Sequence, residues 1–177
     1  MRVPSPAWPV VLALGAALLI VAVVDLRRRR IPNELAMAIA ATGLVHAGLV
    51  GGGWGVLGAA GGLAVGLAGL YYQWTRAWVG GGDVKLMAAV GAWVGVWGAL
   101  EVVLIATVLG GLLAILALLW ASRRQRREVG YNLFQALVSG EIPTIAQSAV
   151  PAARSVPFGV SIAATAAGYL LFTSGVL

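Results

Sequence analysis

The chain has 177 residues, of which 60% are hydrophobic and only 10% charged, with a net charge of +6 and a mean hydropathy of +0.94. A water-soluble domain of this size carries roughly a quarter of its residues charged, so a soluble globular class is excluded, and apolar runs of about 20 residues, long enough to cross a bilayer, recur along the sequence. The absence of cysteine removes disulfides, thiolate metal sites and a cysteine nucleophile, the single His46 removes a histidine-rich metal site, and basic residues clustered at the ends of apolar runs argue against nucleic acid as a partner.

The hydrophobic pattern predicts an all-α fold, a polytopic membrane helix bundle of about six transmembrane helices. The first runs from about Trp8 to Leu26. Its long apolar run, weak basic start and strong positive cluster afterwards read as a retained helix rather than a cleaved signal peptide. Arg27 to Arg30 follow, and Pro32 fits the first turn of a second helix, from about Glu34 to Val50. Gly51, Gly52 and Gly53 form a turn before the third span, from about Trp54 to Trp74. A polar loop then holds Arg76 and Gly80-Gly81-Gly82-Asp83. The fourth span runs from about Val84 to Leu100 and the fifth from about Glu101 to Trp120, with a tight turn expected near Gly98. After the basic stretch Ser122 to Glu128, the moderately apolar Tyr131 to Val150, with Asn132, Gln135, Glu141, Pro143 and Gln147, reads as a cytoplasmic or interfacial segment. The last span runs from about Pro157 to Leu177. The whole chain, 1–177, is therefore expected to be one membrane-embedded domain with a cytoplasmic or interfacial loop at 122–156.

The charges orient this bundle. With the N-terminus outside, every basic residue except Arg2 lies on the inner side, as the positive-inside rule requires. The expected location is the plasma (inner) membrane. Asp25 then ends the first span, and Asp83 begins the fourth, at one depth near the cytoplasmic boundary. Gly58, Gly62, Gly66 and Gly69 in the third span, and Gly91, Gly95 and Gly98 in the fourth, recur at spacings of three and four that let helix backbones approach closely.

The six acidic residues are Asp25, Glu34, Asp83, Glu101, Glu128 and Glu141. A carboxylate costs about 2.5–3.5 kcal/mol at the centre of a bilayer and less near its surface, so such groups are functional candidates. Singly, Asp25 pairs with the arginines that follow it, and Asp83 caps a helix. Together, two neighbouring carboxyls share one proton. One takes a proton from a water that attacks a peptide carbonyl, and the other polarises that carbonyl and protonates the leaving amine. A run of three glycines before Asp83 leaves bare backbone against which an extended substrate can lie. Lys85 tunes the local field or extends its amine to the headgroups. His46 falls near the outer end of its span, far in depth from both aspartates, with no serine close by in sequence, and the H-E-x-x-H pattern of zinc proteases is missing.

Asp25-Leu26-Arg27-Arg28-Arg29-Arg30-Ile31-Pro32-Asn33 resembles the first motif of the type IV prepilin peptidases, an Asp, a basic stretch and Ile-Pro-Asn. Gly80-Gly81-Gly82-Asp83-Val84-Lys85-Leu86 resembles their second, the GxGD signature followed by Lys-Leu. Val156-Pro157-Phe158-Gly159 resembles a third element, Pro-Phe-Gly-Pro, with Val160 where the final proline is common. The resemblance covers roughly residues 8 to 176. It implies a membrane aspartic endopeptidase with Asp25 and Asp83 as the catalytic pair and no cofactor or metal. Gly80, Gly81, Gly82, Lys85, Pro32, Asn33, Pro157, Phe158 and Gly159 would support the site. The implied substrate is the leader of a type IV-like prepilin, cut after a Gly at the cytoplasmic face. Larger family members add a cytosolic region, often with two cysteine pairs, linked to N-methylation. With no cysteine, this chain resembles the short, peptidase-only members, including those serving Flp-type pili; archaeal preflagellin peptidases share the two aspartates. A transport or assembly subunit that handles protons or a cation on Asp25 and Asp83 is the alternative, although carriers place such sites near the bilayer midplane. The arginines of the 122–156 segment suit anionic lipid or the leader of the substrate. The bilayer is the one other partner expected, and no feature of the sequence specifies an oligomeric state.

Overall fold

The structure, a computed structural model, describes residues 8–28, 31–76, 79–139 and 158–174. All its regular elements are helices: α1 (Trp8–Arg28), α2 (Asn33–Thr75), α3 (Gly81–Leu119), α4 (Arg123–Ser139) and α5 (Phe158–Thr173). The first three are each long and apolar enough to cross a membrane, and α5 is a shorter apolar helix.

Two of these helices fold back on themselves. Gly52 (φ 57°) interrupts α2 and Gly95 (φ 72°) interrupts α3. These left-handed conformations suit glycine, which lacks the Cβ that would clash. The packing shows that each interruption reverses the chain. A methyl group at Gly55 would run into the carbonyl of Ala47, a contact that eight residues of straight helix would hold about 12 Å apart. In α3, residues on both sides of Gly95 meet one stretch of α2, Met87 against Gly66 and Val103 against Gly69. Thus α2 consists of arms 33–51 and 53–75, and α3 of arms 81–94 and 96–119. The expected glycine turn in α2 is present. That in α3 lies at Gly95 rather than near Gly98, which is helical and packs on Tyr169 of α5.

The first arm of α3 occupies the centre. Val84 and the unbroken run from Leu86 to Gly95 are buried, as expected of a helix that is apolar all round and packed on all sides. Against it, Gly62 meets Gly91 and Gly95, and Gly66 meets Met87, backbone to backbone. The expected small-residue faces are therefore the α2–α3 crossing. Gly43 makes room for the ring of Trp93, whose indole N–H donates to the carbonyl of Ile39 at 2.8 Å. His46 stacks on the same ring at 5.1 Å between centroids. It is thus half-buried in an aromatic contact between α2 and α3.

Helix α4 corrects the reading of the basic stretch. Arg123 to Glu128 belongs to a helix that continues through Tyr131 to Ser139, because arginine and glutamate are good helix formers. Arg126 reaches back to the carbonyls of Leu119 and Ala121, supplying donors to the end of α3, where the last carbonyls have no helical partner. Residues 140–156 of the expected loop lie outside the described residues. So do Arg29, Arg30 and Pro157.

Candidate active site

Along α1 the buried positions are Val11, Leu14, Leu18, Val21 and Asp25. Steps of three and four residues put all five on one helix face. Asp25 ends the stripe that packs into the bundle, and is only 6% exposed. After α1 the chain turns through Ile31, which is buried, to Pro32, the N-cap of α2, in an extended conformation (φ −60°, ψ 135°). Pro32 therefore stands one place before the first helical turn in which it was expected. Its carbonyl accepts the N–H of Ala36 at 3.3 Å.

Asp83 lies in the first turn of α3. Its carboxylate accepts the N–H of Gly80 at 3.2 Å, and the carbonyl of Gly80 accepts the N–H groups of Asp83 at 3.0 Å and Val84 at 3.4 Å. This is half of a reciprocal cap; Gly80, without a side chain, cannot supply the other half. The Gly80 bond fixes where the Asp83 carboxylate points.

The other residues close this arrangement. A Cβ built at Gly159, in the first turn of α5, would lie 2.7 Å from a carboxyl oxygen of Asp25 and 3.0 Å from Ile31 Cδ1. One built at Gly82 would lie 3.1 Å from Ile31 Cβ. Ile31 is therefore wedged between the first turns of α3 and α5, beside Asp25. Lys85 Nζ donates to Asn33 Oδ1 at 2.8 Å and ties the start of α2 to the start of α3. Gly81 sits against the indole of Trp74, at the end of α2. The half-buried Phe158 packs on Gly110. Among the described residues, no three His, Asp or Glu side chains are grouped to hold a metal ion.

The described members of all three motifs therefore meet at one end of the bundle. The sequence reading quoted Ile31 within the first motif but gave it no role, and so missed its wedge. Gly159 had been singled out by its motif, without its contact. Gly159→Ala is expected to lower any reaction at Asp25 by about a hundredfold, because a displacement near 1 Å at a reacting group costs that much. Initial rates per membrane-inserted protein check this, and a rate within twofold of wild type means that the carboxyl yields without consequence.

Curated relatives extend the picture. A prepilin leader peptidase/N-methyltransferase of Burkholderia pseudomallei (strain 1026b) is 34% identical over 137 residues, 71% of this chain and 42% of that protein. One from Aeromonas hydrophila is 31% identical over 149 residues, 75% of this chain and 49% of its own length. The chain thus spans less than half of the curated relatives it matches. No solved structure matches it. Residues 12–115, which include Asp25 and Asp83, match the type IV leader peptidase family. By that match, and by the motifs it contains, this membrane protein belongs to the type IV leader peptidase family.

Proposed function

We propose that the protein is an aspartic endopeptidase that removes the N-terminal leader of type IV-like prepilins, Flp-type prepilins among them, at the cytoplasmic face of the plasma membrane. The observation that supports this reading is that Ile31 packs against both Gly82, the neighbour of Asp83, and Gly159, which touches Asp25, so that the two aspartates stand at the same end of an apolar bundle. Family membership and the names of the relatives support the substrate class. The basic residues near that end support an inward-facing site.

In this reaction the pair holds one proton between its two carboxyls. A water lies between them and the scissile carbonyl. The ionised carboxyl takes a proton as the water oxygen attacks, and the protonated carboxyl donates to the carbonyl oxygen. As the tetrahedral intermediate collapses, one of its hydroxyls returns its proton to the pair, the C–N bond breaks, and the amine leaves with the pair's other proton. One water is consumed and the pair regains its starting protons. Gly80 keeps Asp83 aimed through its N–H. Gly81 and Gly82 offer backbone without side chains to an extended leader. Lys85, Asn33, Pro32, Phe158 and Gly159 position the helix starts, with Pro157 beside them in the motif.

The test is co-expression with a type IV prepilin or a Flp-type prepilin in a host lacking its own leader peptidase. The pilin is expected to lose its leader, read as an intact mass and a new N-terminus. Unshortened pilin of both kinds, with the protein present in the membrane, overturns the proposal.

A further inference from the structure

Helix α4 is the one described element that the carboxyl site does not use. Arg123, Arg127, Tyr131, Phe134 and Val138 follow one another along it at steps of four, four, three and four. That spacing puts all five on one face, within about a quarter of the helix circumference. All five are exposed, and among the described residues no other helix packs along α4. The face is basic over its first two turns and apolar beyond them.

The adjoining chain indicates what this face meets. Helix α3 is long and apolar enough to span a bilayer, and its last turns expose Leu112, Ile115, Leu116, Leu119 and Trp120. Apolar side chains exposed on a spanning helix face lipid, so lipid reaches as far as Trp120. The first charge follows at Arg123, and a tryptophan ahead of a basic cluster marks the boundary between membrane and water. Arg126 donates to the carbonyls of Leu119 and Ala121, which holds the start of α4 at that boundary.

The chemistry of the face fits the bilayer surface. Arginines attract anionic headgroups, and apolar side chains further along the same face enter the region where headgroups meet acyl chains. Glu128 stands off this face and pairs with Arg124 at 3.0 Å. The same face of a second copy offers no match, since it would set arginine against arginine or against an apolar side chain.

We propose that α4 is an anionic-lipid-binding helix that lies flat on the membrane surface, with Arg123 and Arg127 on phosphate-bearing headgroups and Tyr131, Phe134 and Val138 at the acyl boundary. This docking is separate from the peptidase reading and stands whether or not the carboxyls cut a peptide.

The test uses the full chain in nanodiscs. With no native cysteine, Phe134→Cys or Asn132→Cys, the latter on the other side of the helix by register, takes a single nitroxide label. Collision with oxygen, which dissolves in lipid, is compared with collision with a water-soluble nickel chelate. In discs containing phosphatidylglycerol, the label at 134 is expected to prefer oxygen and that at 132 the nickel chelate. An arginine at an anionic surface favours docking by about fivefold, so adding Arg123→Gln and Arg127→Gln is expected to lower the ratio of docked to free helix about twenty-fivefold. Discs of phosphatidylcholine alone should shift the 134 label the same way. A 134 label that meets the nickel chelate as often as the 132 label overturns the proposal. So does one screened from both reagents, by a second copy or by an added leader peptide, and so does an oxygen preference that neither the arginine changes nor the loss of phosphatidylglycerol alters.

Discussion

Asp25→Asn and Asp83→Asn are each expected to lower the proposed prepilin cleavage by about a thousandfold or more, with both proteins reaching the membrane at the wild-type level. The size follows from removing a positioned acid or base, which is worth roughly 10²–10⁴ on its own, from a pair proposed to work as a unit. An amide has nearly the shape of a carboxyl and still accepts the Gly80 N–H at position 83, so the fold survives. It cannot take up and release the proton that each turnover moves. For the same reason the double variant is expected to be no slower than either single one, since groups acting together lose their effect together. Initial rates on a purified prepilin, with membrane levels measured by blot, decide this. Wild-type rates from either variant end the two-carboxyl mechanism.

The second large effect is on stability. Gly62→Leu is expected to destabilise the bundle by about 3 kcal/mol or more, because an overpacked crossing has to move backbone. Even a Cβ at Gly62 meets the carbonyl of Gly91 and lies 2.7–2.8 Å from Gly95. These are main-chain atoms of two crossing helices, with no flexible side chain to swing away. Gly111 gives the contrasting case. A Cβ there has nothing within 4 Å, so Gly111→Ala is expected to be neutral or to stabilise by up to about 1 kcal/mol through the better helix propensity of alanine. Thermal unfolding in detergent compares the two. A Gly62→Leu protein that melts with the wild type removes the close α2–α3 crossing.

Much of this molecule is legible in its sequence, and the illegible part has a physical cause. The membrane class, the helical fold and the small-residue faces of α2 and α3 follow from composition and spacing, since lipid demands helices and close crossings demand glycine. The α1 stripe ending at Asp25 is hidden, however. Leu12, Leu19, Ile20 and Val23 on the lipid side are as apolar as Leu14 and Leu18 on the packed side, and no contrast marks which face is inside. Gly91, Gly95 and Gly98 look equivalent as a string, and only the positive φ of Gly95 selects it as the reversal. The contact of Gly159 with Asp25 joins opposite ends of the chain, and no local periodicity encodes it. The candidate site was proposed from its motifs; the Ile31 wedge within it required the packing.

The two reversals at Gly52 and Gly95 each spend a single residue, and both lie at the end of the bundle away from the carboxyls. Every longer connection, from α1 to α2, from α2 to α3 and from α3 through α4 to α5, leaves and rejoins the bundle at the other end. Surface connections accept added residues at small entropic cost, whereas a one-residue reversal between packed arms accepts none. Insertions between the helices are therefore expected to be tolerated chiefly on the side of Asp25 and Asp83, so the end of the bundle most free to change in size is the one that carries the two aspartates.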